Sequence, residues 1–304
     1  MESYAGPGPS ASTDGLSAHL LCPDCRHRIG ADLVCTACTR KFSRQGSTIV
    51  LLPSRLDASK THEEETWRVL PHEGENQPAW KAFLHKHNEV FYFTETILPH
   101  LDLKGNVLEI ASGSCWASAL LKQRFPVVQM VASDVSPTAL KKGESLVQLL
   151  GSSVDAYVAC DLENLPFEDE YFDFVFGSAA LHHLGALDRG VSEVSRVLKR
   201  GGRFLGILEP ASGPFFGSIW ESKVGLAGQR AHEHGIHEAM YTANQWRDAF
   251  ERSGFSAVEV VREWDWRYKL THWLPPMYFR ALEFVPKRWI GNVLPCSVNI
   301  RATK

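Results

Sequence analysis

From about residue 105 to 210, short unbroken apolar runs alternate with stretches whose apolar residues recur every three to four positions. The first rhythm belongs to strands buried on both faces, the second to amphipathic helices. Val107, Leu108 and Ile110 predict a strand over 106–111, followed by a helix over 116–124. A second strand over 127–133 closes on Asp134 and leads into a helix from about 137 to 150. A third, 154–159, runs out at Asp161, and a fourth covers 172–177. A helix over 187–198 stops at Lys199-Arg200-Gly201-Gly202, and a fifth strand, 203–208, ends at Glu209. This alternation predicts an α/β fold with a mainly parallel sheet and ligands at the carboxyl ends of its strands.

The flanks are less regular. Residues 47–53 predict a short strand ending at a proline, and 63–101 a helical stretch carrying Trp67, Trp80, Phe83, Phe91 and Phe93, interrupted near 71–78. Thr242, with Gln245 three residues on, predicts a capped helix over 242–253. Strands are expected over 256–261 and, from its alternation, over 295–302. Residues 213–228 hold Phe215, Phe216, Ile219 and Trp220 between glycines and are expected to form a mobile cap, while 263–292 is an aromatic-rich insert.

The most specific local signal is Asn106–Cys115, NVLEIASGSC, in which the first strand runs through Glu109 into a small-residue turn. The G-x-G-x-x-G spacing that brings backbone against a pyrophosphate is absent. A carboxylate just before the turn favours instead a nucleotide with a cationic centre and no phosphate.

Composition adds a second feature. Four of the seven cysteines read C22-P-D-C25, nine residues, C35-T-A-C38. Two such hairpins are the signature of a zinc ribbon, with Cys22, Cys25, Cys35 and Cys38 as structural ligands; a pair of disulfides, or four unrelated cysteines, are the alternatives. No run of 18 apolar residues occurs, and residues 1–17, rich in Pro, Gly and Ser, have neither a basic nor an apolar leader region. A cytoplasmic location is therefore expected, where thiols stay reduced and zinc is favoured. The net charge of −3 hides an uneven spread: six Lys/Arg against two Asp/Glu from His19 to Leu56, and eight against three from Arg262 to Lys304. Basic ends flank an acidic middle.

Taken in order, LEIASGSC, ASDVSPTAL, DLENLPF, FDFVFGSAALHHL and EVSRVLKRGGRF resemble the class I S-adenosylmethionine-dependent methyltransferases. The resemblance implies a Rossmann-like, seven-stranded, mainly parallel sheet with helices on both faces and an antiparallel last strand. It implies S-adenosylmethionine as cofactor, with Glu109, Ala111 and Gly113 at its methionine end and Asp134 with Val135 at the ribose. Asp161 and Leu162 would meet the adenine, and Ser178 and Ala179 would lie beneath the methyl donor. Ala111 and Cys115 stand where the family commonly has glycine. CPDC…CTAC…KF…GSTIVLLP resembles the zinc-ribbon element that precedes many methyltransferase domains. It also resembles the front of rRNA guanine-N1 methyltransferases, although those typically have histidine where this chain has Cys38.

A sulfonium methyl needs alignment above all, and an acceptor hydroxyl or activated carbon gains from a base. His182 and His183, after the fourth strand, are candidates, as are His237 and Tyr241 within RAHEHGIHEAMY, spaced as one helical turn. The expected division is a tail (1–18), a zinc ribbon (19–56), a helical linker or lid (57–100) and a methyltransferase domain (101–304) with cap segments at 211–241 and 263–292. The expected function is methyl transfer to a small apolar, aromatic or lipid-like acceptor. RNA methylation with the ribbon as a docking module, and a non-catalytic partner-binding role, are the alternatives.

Overall fold

Alternation within the buried strands sorts their side chains onto two faces of one sheet. The computed structural model describes residues 14–69, 88–212, 237, 239–263 and 296–304. Its strands are β1 (Ser43–Gln45), β2 (Thr48–Val50), β3 (Asn106–Ile110), β4 (Gln129–Asp134), β5 (Ala156–Ala159), β6 (Phe172–Ser178), β7 (Leu198–Ser212), β8 (Tyr241–Thr242), β9 (Ala257–Glu263) and β10 (Cys296–Thr303). The helices used below are α1 (Ala58–Val69), α2 (Asn88–Tyr92), α3 (Trp116–Arg124), α4 (Pro137–Leu149), α5 (Leu187–Val197) and α6 (Ala243–Arg252).

The sheet runs β1-β2-β5-β4-β3-β6-β7-β10-β9, with β8 beside β7. From β2 to β7 all neighbours are parallel, and β10 enters antiparallel between β7 and β9. The seven strands expected from the sequence are present with this antiparallel last strand, and Thr242 and Gln245 form the expected reciprocal cap on α6. Leu108, Ile110, Val175 and Phe204 face one core, which α5 and α6 cover with Val191, Val194, Trp246 and Phe250. Val107, Phe174, Phe176, Leu205 and Ile207 face the other, with Phe93, Trp116 and Leu121.

The sheet is wider than the sequence implies. The closing strand of the cysteine-rich segment, β2, pairs in parallel with β5, so that Ile49 lies beside Val158. Leu20, Cys22, Ile29, Cys35, Ile49 and Leu51 belong to the same buried cluster as Leu108 and Phe167. The segment that the sequence gives no core of its own thus borrows that of the sheet. Three of its arginines are also engaged: Arg26 with Glu193, Arg28 with Glu168 and Arg40 with Asp24.

The helical stretch expected over 63–101 starts earlier, at Ala58, and its last part changes pitch, from α2 through a π turn at Phe93–Ile97 to a 3-10 turn at Leu98–His100. Trp80 and Phe83, the cap expected over 213–228 and nearly all of the aromatic insert lie outside the described residues.

Candidate active site

A cleft of about 250 Å³ opens at the carboxyl ends of the parallel strands. Ala111 and Gly113 form one wall, Asp134 and Val135 the next, and Asp161 and Leu162 a third, with Ala179 and His183 completing the rim. Three left-handed residues build the first wall: Ala111 at φ 45°, Gly113 at φ 50° and Cys115 at φ 57°. The turn therefore keeps the backbone of a glycine-rich loop with glycine at only one of the three positions. Glycine suits 113 for a second reason, since a Cβ there would lie 3.1 Å from the Trp67 ring, which would have to shift. Cys115 is fully buried with its sulfur against Gly143 of α4.

Asp134 fastens this turn. One carboxylate oxygen accepts from Gly113 N at 2.8 Å and the other from Ser136 N at 2.8 Å. Burial pushes the Asp134 carboxyl up to about 6, against the pull of the Ser136 and Gly113 amides, and the charge on Glu64 adds to the rise. Asp161, at the end of β5, caps a 3-10 turn by accepting from Glu163 N at 3.0 Å.

Glu109 does not line the cleft. Period-two alternation turns it to the α3 side of the sheet, where it accepts from the backbone N–H of Ser118 at 2.8 Å and from its hydroxyl. Only 2% of the residue is exposed, and burial raises its carboxyl to about 8. Ser178 is also outside the cleft lining, its buried hydroxyl without a hydrogen-bond partner among the described residues.

The two histidines after β6 part company. His182 turns inward and its Nδ1 meets Glu209 at 2.9 Å. Glu209 is fully buried and also accepts from the N–H groups of Ala180, Leu181 and His182. Burial alone would raise its carboxyl; the His182 ring and these amides outweigh it and hold it below the ordinary value. A kink at Leu208, left-handed at φ 58° with its N–H on Asn299 Oδ1, lies just before Glu209 in β7. His183 lines the cleft and its Nδ1 donates to the carbonyl of His237 at 3.1 Å, which leaves Nε2 as the acceptor. Burial and the neighbouring His182 pull the His183 ring down to about 4, so it is neutral at pH 7. His237 lines the cleft as well. The helical spacing expected between His237 and Tyr241 is corrected: Tyr241 starts β8 beside β7, packs on Trp246 and does not line the cleft.

Sequence reasoning expected a helical linker or lid over 57–100 but assigned none of its residues to the cleft. Ser59, Lys60, Glu63 and Trp67 all line the cleft. Lys60 pairs with Asp161, and Glu64 accepts from the hydroxyls of Ser136 and Thr138 at the start of α4. The signal was the i, i+3, i+4, i+7 spacing of Lys60, Glu63, Glu64 and Trp67, one face of a helix carried by polar residues.

In the cysteine-rich segment, the Sγ atoms of Cys22, Cys25, Cys35 and Cys38 all lie within 4.8 Å of one another. Cys25 and Cys35 are 3.4 Å apart, Cys22 and Cys38 3.7 Å. Tetrahedral zinc with about 2.3 Å bonds needs sulfurs about 3.8 Å apart, so the four thiols fit the ion. The two hairpins repeat one geometry: Arg26 and Thr39, each following the second cysteine of its pair, are left-handed and donate to the carbonyls of Cys22 and Cys35.

Residues 108–206 match the methyltransferase domain family. Over 117 residues the chain is 35% identical to the ubiquinone/menaquinone biosynthesis C-methyltransferase UbiE of Cupriavidus pinatubonensis, covering 38% of this chain and 44% of that protein. The UbiE of Burkholderia pseudomallei is 34% identical over 119 residues, 38% of this chain and 45% of the relative. The chain spans less than half the length of the curated relatives it matches. Among solved structures, geranyl diphosphate C-methyltransferase from Streptomyces coelicolor, in complex with S-adenosylhomocysteine, superposes with a TM-score of 0.60 at 14% identity, covering 83% of this chain and 99% of that one. Haemonchus contortus phosphoethanolamine N-methyltransferase 2, bound to S-adenosylmethionine, gives 0.55 at 15% identity, with coverages of 83% and 61%. At these identities the structures show a shared fold. No helix among the described residues is long and apolar enough to cross a membrane.

Proposed function

We propose that this protein transfers a methyl group from S-adenosylmethionine to a small apolar acceptor, and that a structural zinc ion sits in the four-cysteine site. The observation that carries the proposal is the order of groups around the cleft. A left-handed turn, a ribose-competent carboxylate and a second carboxylate follow one another at the ends of β3, β4 and β5. Bound there, S-adenosylmethionine supplies a methyl group already activated as a sulfonium. Gly113 would let the backbone approach it, Asp134 would accept from the ribose hydroxyls, and Asp161 with Leu162 would meet the base. His183, neutral and with Nε2 as its acceptor nitrogen, would take a proton from the acceptor. Glu209 and His182 act behind it by fixing the turn on which His183 rides.

An apolar acceptor is supported by the curated relatives, which are named as C-methyltransferases of ubiquinone and menaquinone biosynthesis. The reading places the protein in a reducing compartment such as the cytoplasm, where four thiols remain available to zinc.

Calorimetry with S-adenosylhomocysteine tests the cofactor site: the zinc-loaded protein should bind one equivalent, and no binding sinks the proposal. His183→Ala should lower kcat about a hundredfold while leaving that affinity within about twofold. Elemental analysis should find about one zinc per chain, lost in the Cys22→Ser/Cys25→Ser double variant.

A further inference from the structure

Helix α1 sets a cation where the sequence signals only a carboxylate. Lys60 Nζ bridges the two oxygens of Asp161, at 2.8 Å from Oδ1 and 2.9 Å from Oδ2, and lies 3.3 Å from Oε2 of Glu163, with 12% of its side chain exposed. Both carboxylates are held in turn: Asp161 accepts from Glu163 N, and Glu163 accepts from Ala186 N at 3.1 Å. An ammonium has three N–H donors. One N–H shared between the two oxygens of Asp161 and one directed to Glu163 leave a third, on a side chain that lines the cleft next to Asp161. The end of β5 thus offers a hydrogen-bond acceptor and a charged donor side by side. Adenine presents the complement, an exocyclic amine next to the ring nitrogen N1.

We propose that Lys60 is a cofactor-binding residue that donates to N1 of the adenine while Asp161 accepts from the amine. The proposal rests on the S-adenosylmethionine reading given above. It also accounts for the burial of a lysine between two carboxylates at the lip of a ligand cleft. A neutral base can be stacked against a compensated pair at lower electrostatic cost than against two bare acids. If Lys60 served only to fasten α1, its loss would not change which purine the cleft prefers.

The test pairs two ligands with two proteins. The full chain and its Lys60→Met variant are titrated with S-adenosylhomocysteine and with its 1-deaza analogue, in which C–H replaces N1. Wild type should bind the analogue about tenfold or more weakly than S-adenosylhomocysteine, the loss of one charged hydrogen bond. Lys60→Met should bind S-adenosylhomocysteine with the same loss and no longer distinguish the two. Equal binding of both ligands by wild type overturns the proposal without any variant having to fold. Discrimination retained in Lys60→Met also overturns it and moves the donor to the backbone, with Leu162 N–H the next in line. Failure of wild type to bind S-adenosylhomocysteine at all overturns the cofactor reading instead.

Discussion

Asp134 and Asp161 close adjacent parallel strands in the same way, yet the chain around them treats the two carboxylates differently. Asp134 is buried among neutral donors, the amides of Gly113 and Ser136, with Glu64 nearby, and its carboxyl rises to about 6. Asp161 has a full positive charge within 2.8 Å. Position at a strand end therefore selects an aspartate, but its neighbours set how it is used. One end of the cleft is assembled by the turn that follows β3. The other is assembled by a helix more than ninety residues upstream of Asp161 in sequence.

The largest expected effect falls on Asp134. On the proposed reading Asp134 accepts from the ribose hydroxyls, and Asp134→Ala would remove that acceptor and strand the Gly113 and Ser136 amides, so affinity for S-adenosylhomocysteine should drop about a hundredfold or more by calorimetry. Asp161→Ala should cost about tenfold, because a single amine contact is lost and the freed Lys60 can still pair with Glu163. Equal losses would erase the distinction drawn here.

Acidity bears on Asp134 next. Ligand binding that needs the Asp134 carboxylate should be steady above about pH 6 and fall by up to tenfold per unit below it. Asp134→Asn should flatten that limb. For folding the sign is opposite. A carboxyl whose native value lies above its ordinary 3.8 keeps its proton in the folded chain after the unfolded chain has released it, so its ionisation costs stability as pH rises from about 4 to 6. Glu109, raised from 4.5 to about 8, adds a cost of the same sign over its own window. Thermal melts across this range should show both.

The smallest effect concerns the turn itself. Ala111 is held at φ 45°. A left-handed L-residue costs about 1–2 kcal/mol, and the greater unfolded-state freedom of glycine offsets about 0.5–1 kcal/mol of that. Ala111→Gly should therefore raise stability by up to about 1 kcal/mol, a shift of a few degrees in Tm.

Much of the sheet was legible because strands buried on both faces announce themselves as apolar runs, and because Asp134 and Asp161 mark two strand ends; the fifth strand, expected to stop at Glu209, runs on to Ser212. Four features were not legible. Glu109 reads as a cleft residue until alternation is followed one step further, to the face that α3 covers. His182 and His183 are equivalent in sequence, and only the buried Glu209 decides which turns inward. Tyr241 looked helical because the RAHEHGIHEAMY stretch carries no strand signal, and β8 exists only through its pairing with β7. Lys60 and Trp67 sit in a helix with no fully buried residue, so nothing in its hydrophobic pattern says that it covers a ligand cleft.

The pairing of β2 with β5 has a consequence for solubility. β5, Ala156–Ala159, is buried at all four positions, and without β2 its backbone would form the bare margin of an apolar sheet. β2 covers it, and the margin then becomes β1, three exposed polar residues, Ser43, Arg44 and Gln45. A short polar strand bearing a charge discourages a further strand from adding on. The cysteine-rich segment thus acts as a hem for the sheet, and a chain trimmed back to the part that matches the methyltransferase family would expose a sticky edge and self-associate.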